Sequence, residues 1–107
     1  MEIGQYQVVM VNLDPTLGRE MKKTRHCLVI SPDEMNRHLD TIVIAPLTTK
    51  SKPYPTRVEV RHNKTTGWVV LEQIRTIDRL RVVSILGSLT EPEIMKVKLV
   101  IHQTYVE

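Results

Sequence analysis

Apolar residues along this chain come in short runs interrupted by Gly, Pro, Asp and Asn, a rhythm that predicts strands rather than long helices. Tyr6 to Leu13, rich in Val and bounded by Gly4 and Asp14-Pro15, reads as the first strand. His26 to Ser31 is a second, stopped by Pro32. Ser31-Pro32-Asp33-Glu34 can then open a short helical turn, because Pro is tolerated at the first helical position. Thr41 to Leu47 is a third strand, Thr56 to Arg61 a fourth with clear alternation, Trp68 to Leu71 a fifth after Gly67, and Arg81 to Leu86 a sixth before Gly87. Ile74 to Leu80 reads as a brief strand running into a turn, and His62-Asn63-Lys64 as a hairpin turn. Towards the C-terminus the period changes. Thr90-Glu91-Pro92-Glu93 has the form of a capping box, and Ile94, Val97, Ile101 and Tyr105 follow at helical spacing. Short strands closed by one helix predict a mainly β fold, a small and strongly bent barrel of antiparallel strands.

Composition adds bounds to this pattern. The 107 residues suit a single domain spanning 1–107, large enough to bury roughly two-thirds of its unfolded surface. Lys plus Arg is 15 against 12 for Asp plus Glu, a modest excess whose distribution says more than its size. Arg19, Lys22, Lys23 and Arg25 crowd one stretch, and Lys50 and Lys52 flank another, so the expected partner is a polyanion. The lone Cys27, followed by apolar Leu28 and Val29, excludes an internal disulfide framework and reads as a buried thiol in a reducing compartment. No signal peptide or membrane span is visible, the run Val8 to Val11 being too short, which predicts a cytoplasmic protein. Phe is absent and the aromatics are Tyr6, Tyr54, Trp68 and Tyr105, so stacking on an aromatic platform is not the expected mode of nucleic-acid binding.

Candidate chemistry concentrates in three segments. Asn12 to Arg25 ends the first strand and opens a long basic loop. Ala45-Pro46-Leu47-Thr48-Thr49-Lys50 ends another strand with two hydroxyls and a cation. Leu71-Glu72-Gln73-Ile74-Arg75-Thr76-Ile77-Asp78-Arg79 sets polar groups into an apolar stretch. Three polar strand ends in one small domain suggest one anion-binding site. His26 with His62 is the one histidine pair that could be imagined as an acid–base couple, with solvated or packing roles expected for every histidine but His26. No Cys or His pair has metal-ligand spacing, and no cofactor is expected. Trp68 reads as a core or interface residue.

Val11-Asn12-Leu13-Asp14-Pro15 through Gly18-Arg19-Glu20 and Lys23-Thr24-Arg25, then Ala45-Pro46-Leu47-Thr48, then Leu71 to Asp78, together resemble the signature blocks of the MazF/PemK-type toxins, in order and over nearly the whole chain. The resemblance implies a homodimer of SH3-like barrels, related in fold to CcdB. It also implies a ribosome-independent endoribonuclease that cuts single-stranded RNA at a short sequence and is neutralised by a cognate MazE-like antitoxin with an acidic C-terminal segment. By position, Arg25 and Thr48 match the family's catalytic pair, while Glu20, Gln73, Arg75 and Asp78 match positions lining or supporting the RNA groove. Lys22, Lys23 and Thr49 are expected to support RNA binding. Two departures stand out: His26 follows Arg25 where the family usually has Pro, and Gln5 follows Gly4 where an acidic residue is common. A gyrase poison like CcdB, or an RNA-binding remnant, is the alternative on the same fold. CcdB-type proteins engage gyrase through a Trp at the end of the last helix, and Gln103-Thr104-Tyr105-Val106-Glu107 carries none.

The expected chemistry needs no activated water, because RNA supplies its own 2′-hydroxyl nucleophile. The products would be a 2′,3′-cyclic phosphate and a 5′-hydroxyl. Arg25 can fork two donors onto phosphate oxygens and Thr48 can add a third. A guanidinium does not readily give up its proton, so Glu20 and Asp78 are the candidate bases. Each also has a plain structural reading, Glu20 as a partner of a loop Lys and Asp78 as the cap of a turn.

Overall fold

The computed structural model describes residues 1–13 and 24–107. Among the described residues there are seven strands: β1 (Gln7–Asn12), β2 (Thr24–Val29), β3 (Thr41–Thr48), β4 (Arg57–His62), β5 (Thr65–Val70), β6 (Arg75–Asp78) and β7 (Val82–Ser88). A short helix α1 (Asp33–His38) precedes β3, and helix α2 (Glu91–Ile101) follows β7, its last turn widening over His102–Val106. The strands form one antiparallel sheet in the order β4-β5-β3-β2-β1-β7, with β6 also pairing β3.

β3 is the organising strand. One of its edges pairs β2 through Cys27↔Pro46, Leu28↔Ala45 and Val29↔Ile44. The other changes partner along its length, running from Thr41↔Asp78 to Ile44↔Arg75 on β6 and then Leu47↔Val69 and Thr48↔Trp68 on β5. Ile30 and Ser31 donate to the Val43 carbonyl from the β2 side. By alternation, the backbone of Pro46 therefore faces the gap between β6 and β5, where an absent amide breaks no ladder. Irregular register between β1 and β7, at Val8/Val9 and Met10/Val11, adds the local twist that curls the sheet.

The central strands are buried on both faces, which is why they read as unbroken apolar runs. Val9, Val11, Cys27, Val29, Ile42, Ile44, Ile77 and Val82 fill one core. Val8, Leu28, Ala45, Val58, Val60, Val69, Leu71 and Val97 fill the other, under α2. Thr90 and Glu93 close the expected capping box at the start of α2. The Glu93 carboxylate does double duty, accepting from the Thr90 amide at 2.9 Å and from the Arg61 amide on β4 at 2.8 Å. Tyr105 is mostly exposed, yet its hydroxyl donates to the Leu71 carbonyl at 2.6 Å. Among the described residues no helix is long and apolar enough to cross a membrane.

Several boundaries differ from the sequence expectation. β2 begins at Thr24, so Arg25 sits inside a strand and not in the loop before it. The fifth strand starts at Thr65 because Asn63 and Lys64, at φ 50° and 65°, make a tight hairpin turn of the type whose twist matches the flanking strands. The sixth expected strand runs through Gly87, which ends no element. A Cβ there would come within 2.9 Å of the His62 ring, so glycine at 87 lets the end of β4 pack against β7.

Candidate active site

Side chains alternate across a strand, so Arg25 shares its face of β2 with Cys27 and Val29. Arg25 is exposed and pairs with Val11. On β3 the same face carries Ile42, Ile44, Pro46 and, at the strand's end, Thr48. Continuing the Cys27↔Pro46 register by two residues sets Arg25 opposite Thr48. Residues so opposed in an intact ladder have Cβ atoms about 5 Å apart. Here the recorded β2–β3 pairing ends at Cys27↔Pro46, and Thr48 takes Trp68 as its partner. The expected pair therefore stands at matched positions flanking the point where two strands part.

Arg75 opens β6 opposite Ile44 and lies on the same face, also exposed. The Cys27 thiol registers both arginines. Burial pushes its pKa up to about 11, while the guanidiniums of Arg25 and Arg75 pull the other way. The thiol stays protonated near neutrality and is inert as a nucleophile, in line with its structural reading. Two cations thus border one buried neutral group.

The Thr48 hydroxyl is occupied locally. It donates to the Lys50 carbonyl at 3.1 Å and accepts the Lys50 amide at 3.2 Å, folding the chain as it leaves β3. To donate to a phosphate, it must exchange the carbonyl for the ligand. Thr49 and Lys50 are exposed just beyond. The following segment is held by Arg57, which donates to Glu72 through Nε at 3.1 Å and Nη2 at 2.6 Å, and to Ser51 through Nη1 at 2.9 Å. The hydrogen bond from Arg57, helped by one from Thr56, holds the Glu72 carboxyl below its ordinary range. That clamp joins the exit of β3 to the 3₁₀ turn Leu71–Gln73, where Gln73 is exposed.

Asp78 does not join this group. It pairs with Thr41 at the opposite end of β3, roughly 23 Å from Thr48 at about 3.3 Å per residue along the strand. Its Oδ1 accepts the Leu80 amide at 2.8 Å, which makes it the cap of the next turn. Glu20, Lys22 and Lys23 lie outside the described residues. Trp68 is half-buried between Thr48 and Glu59 in the β5 register.

The structure brings His26 and His62 to one place. Both line a cleft of about 180 Å³, with Leu47, Thr48, Val60 and Thr65 among the other walls. Alternation puts His26 on the face of β2 opposite Arg25, so the end of β3 forms a ridge with guanidiniums to one side and imidazoles to the other. The missed signal was the His62–Gly87 contact, which joins residues 25 apart in sequence and has no local pattern.

Over most of its length the chain is similar to known proteins. Residues 4–105 match the model of the PemK-like, MazF-like toxin of type II toxin-antitoxin systems. A protein called Endoribonuclease MazF from Staphylococcus epidermidis is 32% identical over 102 residues, covering 89% of this chain and 84% of that protein. The crystal structure of MazF from Deinococcus radiodurans superposes with a TM-score of 0.81 at 23% identity, covering 100% of this chain and 99% of that one. A mycobacterial endoribonuclease in complex with its cognate antitoxin gives 0.77 at 23% identity, covering 95% and 91%. The fold is therefore that of the MazF structures, and this chain belongs to the PemK-like, MazF-like toxin family of type II toxin-antitoxin systems.

Proposed function

We propose that this protein is an endoribonuclease toxin that cuts single-stranded RNA and is silenced by a cognate antitoxin. Its relatives include a protein named as an endoribonuclease, and structures of such proteins with their antitoxins share its fold. The observation that carries the catalytic assignment is the matched register of Arg25 and Thr48 at the parting of β2 and β3. Arg25 presents a planar fork to the scissile phosphate and stabilises charge on the phosphorane, with Arg75 adding field from the same face. Thr48 gives the third donor after releasing Lys50. The attacking group is the substrate's own 2′-hydroxyl, so the reaction runs without a metal and leaves 2′,3′-cyclic phosphate and 5′-hydroxyl ends. The cut falls within a short sequence. Glu20, Lys22, Lys23, Thr49 and Gln73 support the bound strand, and Glu20 is the remaining carboxylate of the two weighed as base. The protein works in the cytoplasm as a homodimer, and an acidic antitoxin segment competes with RNA for its basic surface.

The test is direct. Purified protein incubated with a long single-stranded RNA in EDTA should release discrete fragments, and Arg25→Ala should release none. RNA binding without cleavage by the unaltered protein would instead favour the non-catalytic reading.

A further inference from the structure

The cleft on the imidazole side of the β3 ridge shares Thr48 with the phosphate site, but its two histidines take no part in the chemistry just described. Its walls combine apolar surface from Leu47 and Val60, hydroxyls from Thr48, Thr49 and Thr65, and the rings of His26 and His62. His26 is exposed at its mouth, a flat π-face in a chain with few aromatics. His62 is half-buried, and its Nε2 is shut off from solvent with no hydrogen-bond partner among the described residues. An atom closed to solvent is closed to a ligand as well, so a ligand in the cleft meets the remainder of the ring. Gly87 keeps the ring in place from behind, since any larger residue there would collide with it. Single-stranded RNA is read by bases splayed out, stacked on flat side chains and hydrogen-bonded along their edges.

We propose that this cleft is a base-reading subsite: one nucleobase next to the scissile linkage leaves the strand, stacks on His26 and hydrogen-bonds to His62. The proposal rests on the RNA-cleaving reading. Thr48 lines the cleft and also stands opposite Arg25 in register, so a base seated here lies beside the phosphate that the two residues grip. Occupation of the cleft also fixes which linkage is presented, making sequence choice and positioning one event.

The experiment separates recognition from cleavage. A random-sequence single-stranded RNA pool with 2′-fluoro in place of every 2′-hydroxyl lacks the nucleophile and cannot be cut. Bound molecules are sequenced after selection on the unaltered protein, His26→Ala and His62→Gln. The unaltered protein should enrich one base at one position. His62→Gln should lose or switch that enrichment while keeping the others, and His26→Ala, whose ring is exposed and not needed for packing, should weaken binding of the preferred sequence about tenfold, as for loss of a stacked base. Identical enrichment in all three proteins, or none in the unaltered one, overturns the subsite. Ordinary RNA left uncut by a protein that still shows the histidine-dependent enrichment would sink the nuclease reading and spare the subsite.

Discussion

Arg25 and Thr48 differ in what each must do before it can act. Arg25 is exposed, and the Thr48 hydroxyl must trade its bond to the Lys50 carbonyl for one to substrate. Thr48→Ala should therefore lower the single-turnover cleavage rate by about 10²–10³, the usual cost of one donor to a developing oxyanion, with Thr48→Ser recovering most of it. Rates of Thr48→Ala equal to the unaltered protein would show the hydroxyl to be only a turn former. At Cys27, a thiol held near 11 under its apolar cover should resist alkylation at pH 8 until the protein unfolds. The candidate pair was visible in the sequence because charged and hydroxyl-bearing residues at strand ends have no packing reason to be there. The place of Arg25 within β2 was not, since Lys22-Lys23-Thr24-Arg25 has no apolar alternation and only pairing with Asn12 and Val11 makes it a strand.

At the level of elements, α2 is held at its start by a device written in four consecutive residues. Thr90→Ala should cost about 1 kcal/mol, the usual value of an N-cap, lowering the melting temperature by about 4 °C or more for a domain of this size. Glu93 adds a pH dependence. Burial works against its charge, but the amides of Arg61 and Thr90 prevail and hold its carboxyl below the ordinary range. A depressed folded pKa gives stability that is present above the unfolded value of about 4.3 and lost as pH falls through the folded one. The gap in melting temperature between the unaltered protein and Glu93→Gln should hold from pH 7 to 5 and close towards pH 3. A second fastening had no sequence signature. Buried Asn36 on α1 accepts from the Ser31 hydroxyl, whose oxygen also takes the Val43 amide at 3.0 Å, so α1 is tied to the edge of β3. Asn36→Ala should cost about 1–3 kcal/mol in chemical denaturation, because it strands a buried hydroxyl.

For the whole molecule, Lys22 and Lys23 should act through charge alone. Neutralising Lys22 and Lys23 together should weaken binding of every RNA sequence alike and reduce the slope of log affinity against log salt by roughly 1.4, or about 0.7 per phosphate contact on a single strand. A sharpened sequence preference at unchanged affinity would contradict that role. Strand number, the capped helix and the polar strand ends were all legible in the linear pattern, because period, turn chemistry and capping act over a few residues. The fold class followed from them, since many short apolar runs closed by one helix suit a small, strongly bent barrel. Distances between those ends belong to the folded state alone. Arg25 and Thr48 take matched positions by extension of the β2–β3 register, Asp78 is carried to the far end of β3 by the β6 pairing, and His62 comes to line one cleft with His26 where glycine at 87 admits its ring. Each of these depends on long-range pairing, in which a single-residue slip would turn every side chain to the other face, and no local window contains that information.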